Sequence, residues 1–154
     1  MRTALRLSPS LPWGHATIGE ALILQGDARA ALAEAQLEVD PMYRLELLAI
    51  ANHALGQKAA SDAALKEMIT QFDTTSAMDI ATVLAYRGEI DQSFKWLDKA
   101  VQQRDPLLGS VVSWPTLANL HKDPRWLPFL RTIKMAPEEL AAIKFDVMPP
   151  TNAI

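Results

Sequence analysis

The chain has 154 residues, 49% hydrophobic and 21% charged, enough apolar material for one compact domain or one short repeat array. Its net charge of −3 carries no long runs of like charge: residues 1–100 hold 9 Lys/Arg and 13 Asp/Glu, residues 101–154 hold 6 and 5. That balance argues against a basic nucleic-acid surface, and the lack of cysteine excludes disulfides and thiolate metal sites.

The first residues, Met1 to Leu11, carry two arginines and no uninterrupted apolar stretch, which is unlike a signal peptide. Ala4-Leu5-Arg6-Leu7-Ser8-Pro9 reads as the last turn of a helix whose partner is absent. Residues 1–11 are therefore expected to be the end of a truncated preceding repeat, and the chain the C-terminal part of a longer protein. Ala4, Leu5 and Leu7 should pack back on the next unit or mediate a homodimer through this N-terminal edge.

From Pro12 to Pro106 three segments share one plan: an apolar-periodic stretch, a glycine turn and a second periodic stretch. The turns are Gln25-Gly26-Asp27, Leu55-Gly56-Gln57 and Arg87-Gly88-Glu89, with glycines 30 and 32 residues apart. Two helices of about 13 residues and a tight turn fill such a period. Glycine suits the left-handed residue that ends the first helix. The most apolar stretch, Leu45 to Leu55, contains Glu46, Asn52 and His53, so it reads as a core helix and not as a membrane span.

Along the first helices, His15, Ile18, Gly19 and Leu22 in unit one match Leu45, Leu48, Ala49 and Asn52 in unit two. Ala77, Ile80, Ala81 and Leu84 match them in unit three. Each set runs i, i+3, i+4, i+7, a single helical stripe. On the second helices the pairs are Ala31 and Ala35, Ser61 and Leu65, Ser93 and Leu97. Asp40-Pro41, Asp73 and Asp105-Pro106 close the units, since proline cannot continue a helix but starts one well.

In these residues the chain resembles the tetratricopeptide repeat (TPR) family, in particular the C-terminal repeat region of a larger bacterial-type protein. The family's period is about 34 residues. The resemblance implies an all-α fold, a right-handed superhelix of three helical hairpins over 12–106, and a protein-binding role without chemistry of its own. The family's usual inner aromatics are missing from all three first helices.

After Pro106 the period is lost. Leu107 to Val112 and Thr116 to His121 read as short helical turns broken by Ser113-Trp114-Pro115. Asp123-Pro124-Arg125-Trp126 reads as a helix start with Asp as N-cap, placing Trp126, Phe129, Leu130 and Ile133 on one face. Similar Asp-Pro-Arg-aromatic closures follow TPR arrays in bacterial signalling proteins. Pro137-Glu138-Glu139 opens a last helix to about Phe145. Residues 107–145 are thus expected to cap the array, and 146–154 to be a tail.

Sites of chemistry are not visible. His15, His53 and His121 have no HExxH or carboxylate spacing, so no metal and no cofactor is expected. No serine sits in a Gly-x-Ser-x-Gly elbow and no phosphate-binding glycine loop is present. The expectation is a non-enzyme in the cytoplasm, with the periplasm left open, and without nucleic-acid or membrane partners.

The face left on the first helices beside the core stripe holds Trp13, Ala16, Glu20 and Ile23, then Tyr43, Glu46, Ile50 and His53, then Met78, Thr82 and Tyr86. Trp13, Glu20, Glu46 and His53 are expected to share one concave wall. These positions hold no lysine or arginine, which disfavours the family's clamp for a C-terminal carboxylate. An apolar or basic polypeptide segment is the expected partner, and the tail Met148 to Ile154 a candidate occupant. The competing expectation is an assembly module that joins copies through its ends.

Overall fold

The computed structural model describes residues 1–144, and over these residues it is all-helical with no strand. The α-helices are Arg2–Leu7 (α1), Gly14–Leu24 (α2), Ala28–Leu37 (α3), Pro41–Ala54 (α4), Lys58–Phe72 (α5), Ala77–Tyr86 (α6), Ile90–Gln103 (α7), Trp126–Thr132 (α8) and Pro137–Ala141 (α9). Two 3₁₀ stretches, Pro106–Ser113 and Pro115–Leu120, lie between α7 and α8. No described helix is long and apolar enough to cross a membrane.

Three consecutive hairpins, α2–α3, α4–α5 and α6–α7, form the body, and α2, α4 and α6 adjoin one another in sequence. Gly26, Gly56 and Gly88 have φ of 83°, 72° and 78°. The N–H of the next residue then donates five residues back: Asp27 to Leu22 O at 2.9 Å, Gln57 to Asn52 O at 2.8 Å and Glu89 to Leu84 O at 2.9 Å. The same closure ends α7 at Arg104 (φ 55°) and α8 at Lys134 (φ 63°), where no glycine announces it.

The small residues set the hairpin register. Ser61 Oγ donates to Ala49 O and Ser93 Oγ to Ala81 O, both at 2.7 Å and both twelve residues back. In the first hairpin Ala31 and Gly19 have the same separation, and Ala31 is fully buried. A Cβ at Gly19 would lie 2.1 Å from Leu47 Cδ2, so the glycine admits the leucine of the next hairpin.

Acids at the hairpin ends tie the helices together. Glu38 Oε2 accepts from Ala16 N at 2.9 Å, capping α2 from the end of α3. Asp105 Oδ2 accepts from Met78 N at 3.1 Å, which does the same for α6 from the end of α7. Arg87, with its side chain only 7% exposed, joins the last two hairpins by donating to Glu89, Ser61 and Asp62.

Two expectations at the ends change. Helix α8 starts at Trp126, because Asp123 Oδ1 accepts from Arg125 N at 2.9 Å and holds Asp123-Pro124-Arg125 as a turn. Helix α9 ends at Ala141 and not near Phe145, with glycine absent and no described residue of it buried. The N-terminal α1 lies on α2, with Leu5 against Gly14 while Leu7 is 85% exposed. The tail Met148–Ile154 lies outside the described residues.

The core falls into two clusters. One joins α2 to α6 around Leu47, Ile50, Met68 and Ile80. The other joins α6 and α7 to Val111, Leu117, Leu120, Trp126 and Phe129. Every residue from Ala77 to Ala85 is buried, as expected for a helix enclosed on all sides.

Candidate functional site

Helix α6 is enclosed because the segment after α7 folds back onto it. The second 3₁₀ stretch, Pro115–Leu120, packs along α6. Asn119 Nδ2 donates to Ala85 O at 2.9 Å, and Val111, Leu117 and Leu120 are fully buried. Asp105 begins this return, accepting from Leu107 N at 3.0 Å as well as from Met78 N. The face of the first helices is thus covered at its third-hairpin end by the chain's own non-α-helical stretch.

This cover decides where the candidate face residues sit. Met78 and Thr82 are buried under it, and Ile23, Glu46 and Ile50 are also buried, so these five do not form an open surface. Tyr43, His53 and Tyr86 are half-buried, with the His53 and Tyr86 rings edge to face at 6.0 Å. Trp13 and Glu20 are exposed, Trp13 at 50%.

A single wall of Trp13, Glu20, Glu46 and His53 is not what the fold builds. Glu20 and Glu46 meet at one small pocket. His53 instead lines a depression with Gly56, Lys58, Asp62, Arg87 and Glu89, and Trp13 lines neither. Trp13 precedes α2 as its N-cap in a left-handed conformation (φ 57°), while His53 lies in the last turn of α4, and seven residues along a helix is about 10 Å. That separation puts Trp13 at one end of α2 and His53 at the other end of α4.

The Glu20–Glu46 pocket is where three hairpins and the cover converge. It has a volume of about 50 Å³ and is lined by Glu20 and Leu24 of α2, Glu46 of α4, Thr82 of α6, and Trp114, Pro115 and Thr116 of the cover. Glu46 is 5% exposed and has no side-chain hydrogen bond or ion pair among the described residues. Burial, followed by the neighbouring charges of Asp79 and Glu20, pushes its pKa well above the usual carboxylate range.

Asp79 of α6 stands behind this pocket in the electrostatic sense. It is 3% exposed, and its Oδ1 is buried without a hydrogen-bond partner among the described residues. Burial, then Asp105 and further Glu20 and Asp40, raises its pKa to about 7. Glu20 is open as a residue, so it belongs to the rim; the surrounding protein still removes enough water from its carboxyl to raise its pKa. The Tyr43 phenol is raised by burial and by Asp79, Glu46, Asp40 and Glu20 together, which marks the centre of a negative field.

The cations of the flanking elements do not answer that field. Arg44 donates to Glu38 O at 3.2 Å, and Arg87 is taken by its three acceptors. Among the described residues no group of three His or acidic side chains is placed to hold a metal ion. The sequence reading named Glu20, Glu46 and Thr82 but missed Asp79, Trp114 and Thr116. Asp79 carried a usable signal, as the lone charge in the apolar run Ala77–Leu84. No family model matches the chain, and neither a curated protein nor a solved structure does.

Proposed function

We propose that the chain is a tetratricopeptide-like scaffold module that binds a polypeptide segment along the face of α2 and α4, beside the stretch that covers α6. The observation that carries this reading is the cover. An irregular stretch of the chain already lies on the α6 end of that face, burying Leu117 and Leu120 and bonding Asn119 to the α6 backbone. Beside the cover lie α4 and α2, where Glu20 is left exposed and Tyr43 half-exposed, and Trp13 is exposed at the start of α2. A second segment lying there would extend a contact the chain makes with itself, with Trp13 as an aromatic anchor.

The test is selection of peptides from a displayed random library on the full chain, followed by calorimetry and amide chemical-shift mapping. Peptides binding tighter than about 1 mM and shifting Glu20, Tyr43 and Glu46 are expected. Shifts confined to other surfaces would overturn the reading.

Assembly through the N-terminal edge is supported by a separate observation: among the described residues, Met1, Leu7, Trp13, Leu37 and Val39 of the first hairpin and the helix before it are large hydrophobics left exposed. Light scattering against concentration tests it. A mass that doubles and reverts in Leu7→Lys, Leu37→Lys favours assembly, and a constant monomer removes it.

A further inference from the structure

The Glu20–Glu46 pocket has the features of a binding subsite that the chain itself leaves unfilled. Glu46 is more than nine-tenths buried, lines the pocket and has no partner among the described residues. Its oxygens reach only the little solvent this pocket admits, so a cation or a proton there stabilises the carboxyl. No lysine, arginine or histidine is among the described residues that line the pocket.

Acceptors converge there from three helices. Glu20 and Glu46 supply carboxylate oxygens. Thr82 Oγ1 gives its proton to Met78 O at 3.0 Å, so its lone pairs remain free to accept. Leu24, Trp114 and Pro115 make the rest of the lining apolar.

We propose that this pocket is a subsite for a primary ammonium group, the side-chain head of a lysine in the segment bound on the α2–α4 face beside the cover. This inference rests on the face-binding reading and names the partner's chemistry. An ammonium carries three N–H donors, matching acceptors drawn from Glu20, Glu46 and Thr82. Acceptors drawn from three separate helices suit a compact ammonium, whereas a planar guanidinium presents its five N–H donors in one fixed fork. The apolar lining suits the lysine stem, which buries its methylenes while the head finds charge. A divalent cation fits less well, since it demands six or more oxygens. The raised pKa of Glu46 agrees with a carboxyl that takes a proton until a cation replaces it.

Two measurements on the full chain test it. In the first, n-butylammonium, ethylguanidinium and Mg²⁺ are titrated separately while the side-chain carboxyl carbons of Glu20 and Glu46 are followed by NMR. Butylammonium should shift both carbons and lower the apparent pKa of Glu46, with ethylguanidinium and Mg²⁺ at least fivefold weaker. Equal responses to all three, or none to butylammonium, overturn the subsite. In the second, a lysine in a peptide selected on this face is replaced by norleucine. The loss should be tenfold or more in the parent and under twofold in Glu46→Gln, with Glu20→Gln intermediate. Peptides that bind the face with no such loss sink the ammonium subsite and leave the face-binding reading standing. Butylammonium binding with no peptide on the face removes that reading, and with it the lysine occupant.

Discussion

Glu46 and Leu47 are neighbours in α4 and are both buried, yet their surroundings treat them in opposite ways. Leu47 fills the notch left by Gly19, a contact so close that Gly19→Ala must displace it. Such overpacking should cost about 1–3 kcal/mol, read as a lower denaturation midpoint; an unchanged midpoint would mean that α2 and α4 separate more easily than this contact implies. Glu46 and Asp79, by contrast, are buried without cations. Asp79 is faced by Glu20 of α2, by Asp40, Tyr43 and Glu46 of the second hairpin, and by Asp105 after α7. Its pKa is raised from 3.8 to about 7 in the fold, so between those values the unfolded chain has lost a proton that the folded chain keeps. Stability therefore falls as pH rises through that window, by up to about 4 kcal/mol from this residue, and stays low above it. Asp79→Asn should accordingly melt higher than the parent at pH 8 and close to it at pH 3.5. An equal difference at both pH values would mean that charge burial is not the cause.

At the scale of elements, the sequence was most legible where one residue alone fixes a backbone state. Gly26, Gly56 and Gly88 marked three helix ends because only glycine takes a positive φ at little cost. The ends at Arg104 and Lys134 adopt the same conformation without that signal, so the later boundaries were harder to place. The core stripes were readable in part for the same reason of period: Ile18, Leu45, Ile80 and Leu84 are buried as their spacing requires, while His15, Leu22 and Leu48 of the same stripes are half-buried. What period could not reveal is the second task of the small serines. Ser93 was legible as small, but its bond to Ala81 O depends on a helix twelve residues away. Ser93→Ala should cost about 1 kcal/mol, the net worth of one hydrogen bond. Ser61→Ala should cost more, about 1–3 kcal/mol, since Arg87 Nη1 also loses its acceptor and is largely buried. Chemical denaturation of both variants checks the order, and a reversed ranking would show that Arg87 relies on Asp62 and Glu89 alone.

For the whole molecule, the decisive contact is the return of 106–120 onto α6; the sequence led to the expectation that 107–145 cap the array, but not to the face that this stretch covers. The stretch has no helical period, and Asn119 meets Ala85 across 34 residues of chain, so neither pattern nor local spacing points to it. It converts the third hairpin's share of the face into core, which is why Met78 and Thr82 are buried while Glu20 remains open. Its anchorage is double. Leu117 and Leu120 enter the α6–α7 cluster. Beyond them Arg125 pairs with Asp91 at 2.9 Å and lies over the Phe94 ring, holding the start of α8 to α7. Trp114, Pro115 and Thr116 wall the acidic pocket from this same stretch, so the pocket exists only while the cover is seated. Leu117→Ala should cost about 2–5 kcal/mol by leaving a cavity against α6. If the cover lifts as a unit, amide exchange in Leu117→Ala should quicken across residues 107–120 while α4 and α5 keep their protection. Glu46 should then move toward the ordinary carboxylate range as water reaches it. Exchange that quickens uniformly along the chain would instead mean that the cover and the hairpins unfold together, and that the pocket cannot open on its own.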